Sequence, residues 1–381
     1  MLQLPPLTLY VHVPWCLRKC PYCDFNSHEA AGSLPEEAFV AALAEDLTED
    51  LPAVAGRKLV AAFFGGGTPS LLSPRTVASI LELAERAVGF APGAEITLEA
   101  NPAAADAARF AGYRAAGVNR LSIGVQSFSD RALAAIGRLH GGGEARAAVR
   151  AARRAGFAEL NLDLMYGLPD QGPAEALADL RQALTLEPTH LSWYQLTLEP
   201  NTPFYKRPPP LPDEEAVAAM ESAGRELLAE AGFARYEVSA YALPGHASRH
   251  NRNYWEFGDY LGIGPGAHGK LSDPRRDRIE RTARTRRPAD YLRPRPSRVA
   301  RRTAVPRSER PLEFFLNALR LVEGVPRASF AARTGLPWAV VAARWEALAA
   351  RGLLEPAGER LAATPTGYAH LDAVLAALAS P

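Results

Sequence analysis

The chain has 381 residues, enough for two or three domains or for one large barrel with an appendage. Its 48% hydrophobic and 22% charged residues exclude a disordered, collagenous or coiled-coil chain, and 43 cations against 42 acids leave a net charge of +1, which implies neither a nucleic-acid coat nor an acidic solubiliser. The first residues lack the basic start and apolar stretch of a secretory signal, and no apolar run is long enough for a membrane span, so a cytoplasmic protein is expected.

From Leu9 to about Leu198, short β-rich runs alternate with Ala- and Leu-rich helical stretches, the rhythm of consecutive βαβ units. The runs at 9–13, 59–64, 95–99, 120–125, 159–164 and 190–196 read as six strands. Several are apolar enough to be covered on both faces, and helical patterns such as Glu36–Asp50, Pro74–Val88 and Glu144–Ala155 follow them. This predicts an α/β fold: an open or partial (β/α)6 barrel over residues 1–200, with ligands at the carboxyl ends of its strands.

Beyond it, residues 201–272 carry a proline-rich turn, a helix over Asp213–Ala231 and an aromatic, glycine-rich stretch that reads as an extension of the sheet. Residues 273–310, in which fourteen arginines stand against four acids between Arg275 and Arg310, with interspersed prolines, read as a solvated connector. Residues 311–381 have the helix, short hairpin and helix order of a small winged-helix-like helical domain.

The three cysteines, Cys16, Cys20 and Cys23, fall within eight residues just after the first strand. An odd, clustered set forms no disulfide framework, and metal is the better reading. Thiolates spaced C-x3-C-x2-C can ligate three irons of a [4Fe-4S] cubane and leave the fourth iron open. That iron can chelate S-adenosylmethionine (SAM), and one electron then cleaves the sulfonium to a deoxyadenosyl radical. A structural zinc would need a fourth ligand, for which His28 is placed.

The cysteine loop resembles the signature of the radical SAM superfamily, and further motifs agree with it. Gly65-Gly66-Gly67-Thr68-Pro69 ends the second strand, where absent β-carbons let backbone carbonyls approach a ligand ammonium. Glu99, Gln126 and Asp163 stand at or near the ends of the third, fourth and fifth strands and would converge on one cavity, with Arg138 placed to answer a carboxylate. Tyr10 and Tyr22 flank the cluster loop.

A closer resemblance spans about Leu9 to Leu378. YVHVPWCxxxCxYCDFNSH, GGGTPSLL, EANP, RLSIGVQSF, LNLDLMYGLP and HLSWYQLTLEPNTPF together resemble the anaerobic coproporphyrinogen III oxidase (HemN-type) family. The resemblance implies a radical SAM barrel with a [4Fe-4S] cluster on Cys16, Cys20 and Cys23. It also implies SAM contacts from Tyr10, Gly66, Gly67, Thr68, Glu99, Gln126, Arg138 and Asp163, while Tyr22, beside the cluster, is placed to cover it or stack near the adenine, with core packing as its other reading. Two departures point within that family to the HemW heme chaperone branch: Cys23-Asp24-Phe25 replaces the oxidase's C-x-C, and the first strand begins at Leu9 without the oxidase's N-terminal extension.

The segment from Arg249 to Trp255 and the GDYLGIGPGAHG run after it agree with that branch. The expected function is heme binding and transfer to a respiratory, membrane-associated acceptor, with decarboxylation of coproporphyrinogen III as the alternative. His250 is the candidate heme ligand, as a neutral imidazole in an aromatic segment, with His246 and His268 competing and core packing as its other reading. No nucleic-acid partner is expected, because Tyr291 is the only aromatic residue in the arginine-rich connector.

Overall fold

Leu7, Leu9, Val11 and Val13 alternate with Thr8, Tyr10 and His12 along the first strand, β1 (Leu7–Val13), and the four aliphatic side chains are completely buried. The computed structural model describes residues 1–104 and 106–379. In it, β1 is followed by five strands that pair in parallel and in sequence order: β2 (Leu59–Gly66), β3 (Phe90–Ala100), β4 (Arg120–Gln126), β5 (Glu159–Tyr166) and β6 (His190–Gln195). The six strands expected from the sequence are all present.

Their faces differ from the expectation of apolar character on both sides. Leu98, Leu121, Ile123, Leu160, Leu162 and Leu191 point outward into one hydrophobic core with the surrounding helices. Thr97 and Glu99, Ser122, Asn161 and Asp163, and His190 and Ser192 point inward and line cavities. The polar inner face reflects an interior that is not filled by side-chain packing.

The covering helices start where the sequence offers a cap. Ser73, Asp106 and Asp213 each accept the backbone N–H three residues on, ahead of helices Pro74–Ala87, Ala107–Ala115 and Glu214–Glu230. Among the described residues no helix is long and apolar enough to cross a membrane.

Both edges of the parallel sheet are extended. Beyond β6 lie β7 (Ala234–Arg235) and β8 (Ala240–Ala242), of which β8 pairs antiparallel with β6. Beyond β1 lie β9 (Asp259–Ile263), parallel to it, and then antiparallel β10 (His268–Asp273), β11 (Arg278–Arg284) and β12 (Val299–Ala304). The aromatic, glycine-rich stretch is therefore the sheet extension expected.

The arginine-rich segment is not a solvated connector, since β11 and β12 lie within it. Three of its arginines are neutralised by helix Glu36–Asp50, which packs against the extension. Arg284 is fully buried, with Nε 2.5 Å from Asp46 and Nη2 2.6 Å from Asp50. Arg302 reaches Asp50 at 3.0 Å and Arg298 reaches Glu45 at 2.5 Å. Asp46 also accepts from the Tyr291 hydroxyl at 2.6 Å and the Gly264 N–H at 3.0 Å. These partners lie more than two hundred residues apart, beyond any local pattern.

The C-terminal helices Arg310–Ala318, Arg327–Thr334 and Ala342–Ala350 close around Phe314, Phe315, Phe330 and Trp345. A short ladder pairs Val325 with Leu361, and helix Leu371–Ala379 completes the module. Leu2, Phe257, Ile279 and Val305 belong to the same core, so the module is fused to the sheet extension rather than tethered to it.

Removing Arg284 would strand two carboxylates in a dry interior. Arg284→Ala should cost about 3–5 kcal/mol of unfolding free energy, read as a lowered urea midpoint, whereas Arg275→Ala on the exposed turn should leave the midpoint unchanged.

Candidate functional site

The carboxyl ends of the six parallel strands open into a chamber of about 830 Å³. Cys16, Cys20 and Cys23 line it, and with them Tyr22, Gly66, Gly67, Thr68, Glu99, Gln126, Arg138 and Asp163. The structure thus gathers into one cavity all the residues expected at the cluster and SAM except Tyr10. Tyr10 lies on an adjoining chamber of about 620 Å³, which shares Phe25, Gly66 and Glu99 with the first.

The cysteine loop is held by backbone pairing. Trp15 and Cys16 form a two-residue parallel ladder with His28 and Glu29, and the Cys23 N–H donates to the Cys20 carbonyl at 3.1 Å. The Lys19 ammonium reaches the carbonyls of Phe25 at 2.9 Å and Ser27 at 3.3 Å. From β2, the N–H groups of Gly67 and Thr68 donate to the carbonyls of Val13 and Trp15, both at 2.7 Å.

A β-carbon on Gly67 would lie 2.6 Å from the Trp15 carbonyl oxygen, and Gly66 sits at φ +108° against the His12 ring. The glycine run therefore seats the cysteine loop by close backbone approach. Burial pushes the Cys16 and Cys23 thiols up, opposed at Cys16 by hydrogen bonds with Thr68 and Ser27.

Arg138 spans the chamber wall. Its guanidinium donates to Cys20 Sγ at 3.7 Å and to the Gly124 carbonyl at 2.7 Å, while its Nε is buried without a partner. Gln126 ends β4 at φ +67°, where the pairing of β4 with β5 slips by one residue. The bulge turns its side chain into the chamber, where Oε1 accepts from the Tyr194 hydroxyl at 2.7 Å.

Asp163 is fixed by Ser122 Oγ at 2.9 Å and Asn161 Nδ2 at 2.7 Å, and burial raises its pKa. Burial and then the Asp163 charge push Glu99 from 4.5 up to about 8, against one hydrogen bond from the Gly66 N–H at 3.2 Å. Two buried carboxylates and an orphaned guanidinium nitrogen suit a ligand with hydroxyls, a positive charge and a carboxylate. Three thiols on one wall with open volume before them suit a cubane. His28 does not line this chamber, so it is not placed as a fourth ligand for zinc among the thiols.

Tyr194, Asn101, Glu199 and Arg320 also line the chamber and were missed in the sequence. Tyr194 was within reach of a period-two reading, since His190, Ser192 and Tyr194 alternate with Leu191 and Trp193 along β6. Arg320 comes from the C-terminal module, and no local signal announces it.

His250 is where the structure departs most from the sequence reading. It sits in helix Arg249–Trp255, 4% exposed, with its ring 4.8 Å from Phe63 and 4.9 Å from Tyr254. It lines neither chamber, and burial lowers its pKa to about 3. In this conformation it is packed as its core-packing reading describes. His246 pairs with Glu159 at 2.8 Å at the opposite end of the strands, whereas His268 is exposed and lines the adjoining chamber.

In the unliganded protein Glu99 keeps its proton when folded and loses it when unfolded between about pH 4.5 and 8, so stability falls as pH rises through that window. Glu99→Gln removes this dependence. Its urea midpoint should exceed that of the wild type by more at pH 8 than at pH 5, and an equal offset at the two pH values would refute the assignment.

Comparison with known proteins agrees with this geometry. Residues 10–183 match the Radical SAM superfamily and residues 305–370 the HemN C-terminal domain. The chain is 48% identical to the heme chaperone HemW of Escherichia coli over 98% of each chain. It is 49% identical to the heme chaperone HemW of Haemophilus influenzae over 90% of this chain and 89% of that one. The solved structure of coproporphyrinogen III oxidase (HemN) from Escherichia coli superposes with a TM-score of 0.82 over 99% of this chain and 91% of that one, at 22% identity, which shows the shared fold. Full-length identity of this order and the two domains in sequence place the chain in the HemW family of the radical SAM superfamily.

Proposed function

We propose that this chain binds heme and passes it to an acceptor protein, with a [4Fe-4S] cluster on Cys16, Cys20 and Cys23 and SAM in the chamber beside it. The observation that carries this reading is 48% identity, along 98% of the chain, to a protein named heme chaperone. SAM bound at a reduced cluster supplies one-electron cleavage chemistry.

The chain's own residues do the rest. The three thiolates hold the cluster on one wall, and Gly66, Gly67 and Thr68 fix the loop that carries them. The free Nε–H of Arg138 is available to a carboxylate. Glu99 and Asp163 accept hydroxyls, Gln126 is oriented by Tyr194, and Tyr22 covers the site against Phe204, 6.4 Å away between ring centres. Tyr10 supports the shared wall from the neighbouring chamber.

Decarboxylation of coproporphyrinogen is the weaker reading, because Asp24 and the 60% exposed Phe25 stand where the oxidase pattern has its further thiol. The acceptor is proposed to be a membrane-associated respiratory protein met by a cytoplasmic carrier. The fused C-terminal module, which sends Arg320 to the chamber, is the element proposed to dock it.

Anaerobically reconstituted protein, reduced and supplied with SAM, should be offered heme and coproporphyrinogen III in parallel. One heme per chain by Soret titration, with coproporphyrinogen unchanged, is the expected result; a decarboxylated porphyrin without stable heme binding would overturn it. Gly67→Ala, which forces a methyl group against the Trp15 carbonyl, should retain the far-UV circular dichroism of the wild type but take up fewer irons per chain on reconstitution.

A further inference from the structure

We infer that heme binds in the 620 Å³ chamber beside the cluster, on a shelf of the sheet extension, with the His268 imidazole as its axial ligand and with Arg286 and Arg301 pairing with its two propionates. The inference rests on the heme-carrier reading above and gives it a site.

The shelf follows from strand register. His268 of β10 stands opposite Ala283 of β11, and Ala283 stands opposite Arg301 of β12. Residues directly abreast point to the same face, and strands are spaced about 4.8 Å apart. His268 and Arg301 are therefore roughly 10 Å apart across a low floor made by an alanine. A flat macrocycle ligated at its centre and charged at one edge needs such an arrangement, with a ligand at one side, a cation at the other and nothing tall between. Arg286 enters the same chamber from the chain beyond β11, and the exposed ring of Phe25 stands at its border with the cluster chamber.

The charges agree. Arg281, Arg284, Arg298, Arg302 and Arg310 are all paired with carboxylates. Arg286 and Arg301 have no ion-pair partner among the described residues, although they line the same chamber. Partial desolvation of the ring and the nearby Arg301, Arg281 and Arg286 lower the His268 pKa, which favours the neutral imidazole, the form that binds iron. Unlike His250, His268 is exposed and needs no rearrangement to be reached.

The test is a heme titration of the full-length, cluster-loaded protein. Wild-type protein should bind one heme with a Soret shift. His268→Ala should lose that shift and bind on the order of tenfold more weakly or worse, with the cluster absorbance unchanged. Arg286→Ala with Arg301→Ala should weaken heme by a similar factor yet leave binding of heme dimethyl ester, whose carboxylates are masked, as in the wild type. Ala283→Trp, which raises the floor, should block both ligands.

Heme bound by all these variants as by the wild type would overturn the site while leaving the heme-carrier reading intact, and loss of the Soret shift in His250→Ala alone would do the same. Wild-type protein that binds no heme would overturn both.

Discussion

The constraint on which the site depends is the two-residue period of a strand, applied to six parallel strands at once. Each strand sends its aliphatic residues outward to the helices and its polar residues inward. Parallel order stacks the inward residues of successive strands in layers, such as Glu99, Ser122, Asn161 and His190. Glu99, Asp163 and Tyr194 face one chamber for that reason, from β3, β5 and β6 at successive heights, and the bulge at Gln126 adds its side chain from β4. None of them would approach the others in a sheet of another order. The cysteine loop then needs only to be seated over the strand ends, which Gly67 does by allowing the two backbones to touch, while Gly66 makes room for the His12 ring.

The sheet extension answers to a different force. It is fixed to helix Glu36–Asp50 by Arg284, whose guanidinium is shared by Asp46 and Asp50 with all three side chains out of water. A pair so buried adds little net stability but strongly disfavours any arrangement that breaks it. Here it fixes β11 and hence the position of Ala283 on the neighbouring chamber. The Gly264 N–H and the Tyr291 hydroxyl, both bonded to Asp46, tie the turn after β9 and the short helix Pro288–Leu292 to the same point.

What was legible in the sequence divides along the range of the interaction. The six strands, their helices and the cysteine spacing are local patterns, and the structure has them where the residues indicated. The convergence of Glu99, Gln126, Arg138 and Asp163 was legible because strand order in consecutive βαβ units is itself nearly local. The arginine-rich segment was not legible: its acids lie in a helix more than two hundred residues earlier, and read alone it is a run of charge with prolines. The burial of His250 was hidden for a related reason. Its aromatic neighbours in sequence suggested a ligand pocket, but Phe63 from β2 fills the space beside it. Arg320 reaches the chamber only because the C-terminal module shares a core with the extension.

The two chambers are not independent, because Glu99 and Gly66 form part of both walls. Glu99 is held near neutrality by burial and by Asp163, and its one bond to the chain is the Gly66 N–H. A cationic ligand in the cluster chamber favours its ionised form, and so sets the charge of the wall that faces the other chamber. Linkage makes the effect mutual: a ligand in one chamber that changes affinity in the other through Glu99 has its own affinity changed by the same factor. With heme in the adjoining chamber, as inferred above, this shared wall is the route by which the state of the cluster chamber would alter the grip on heme.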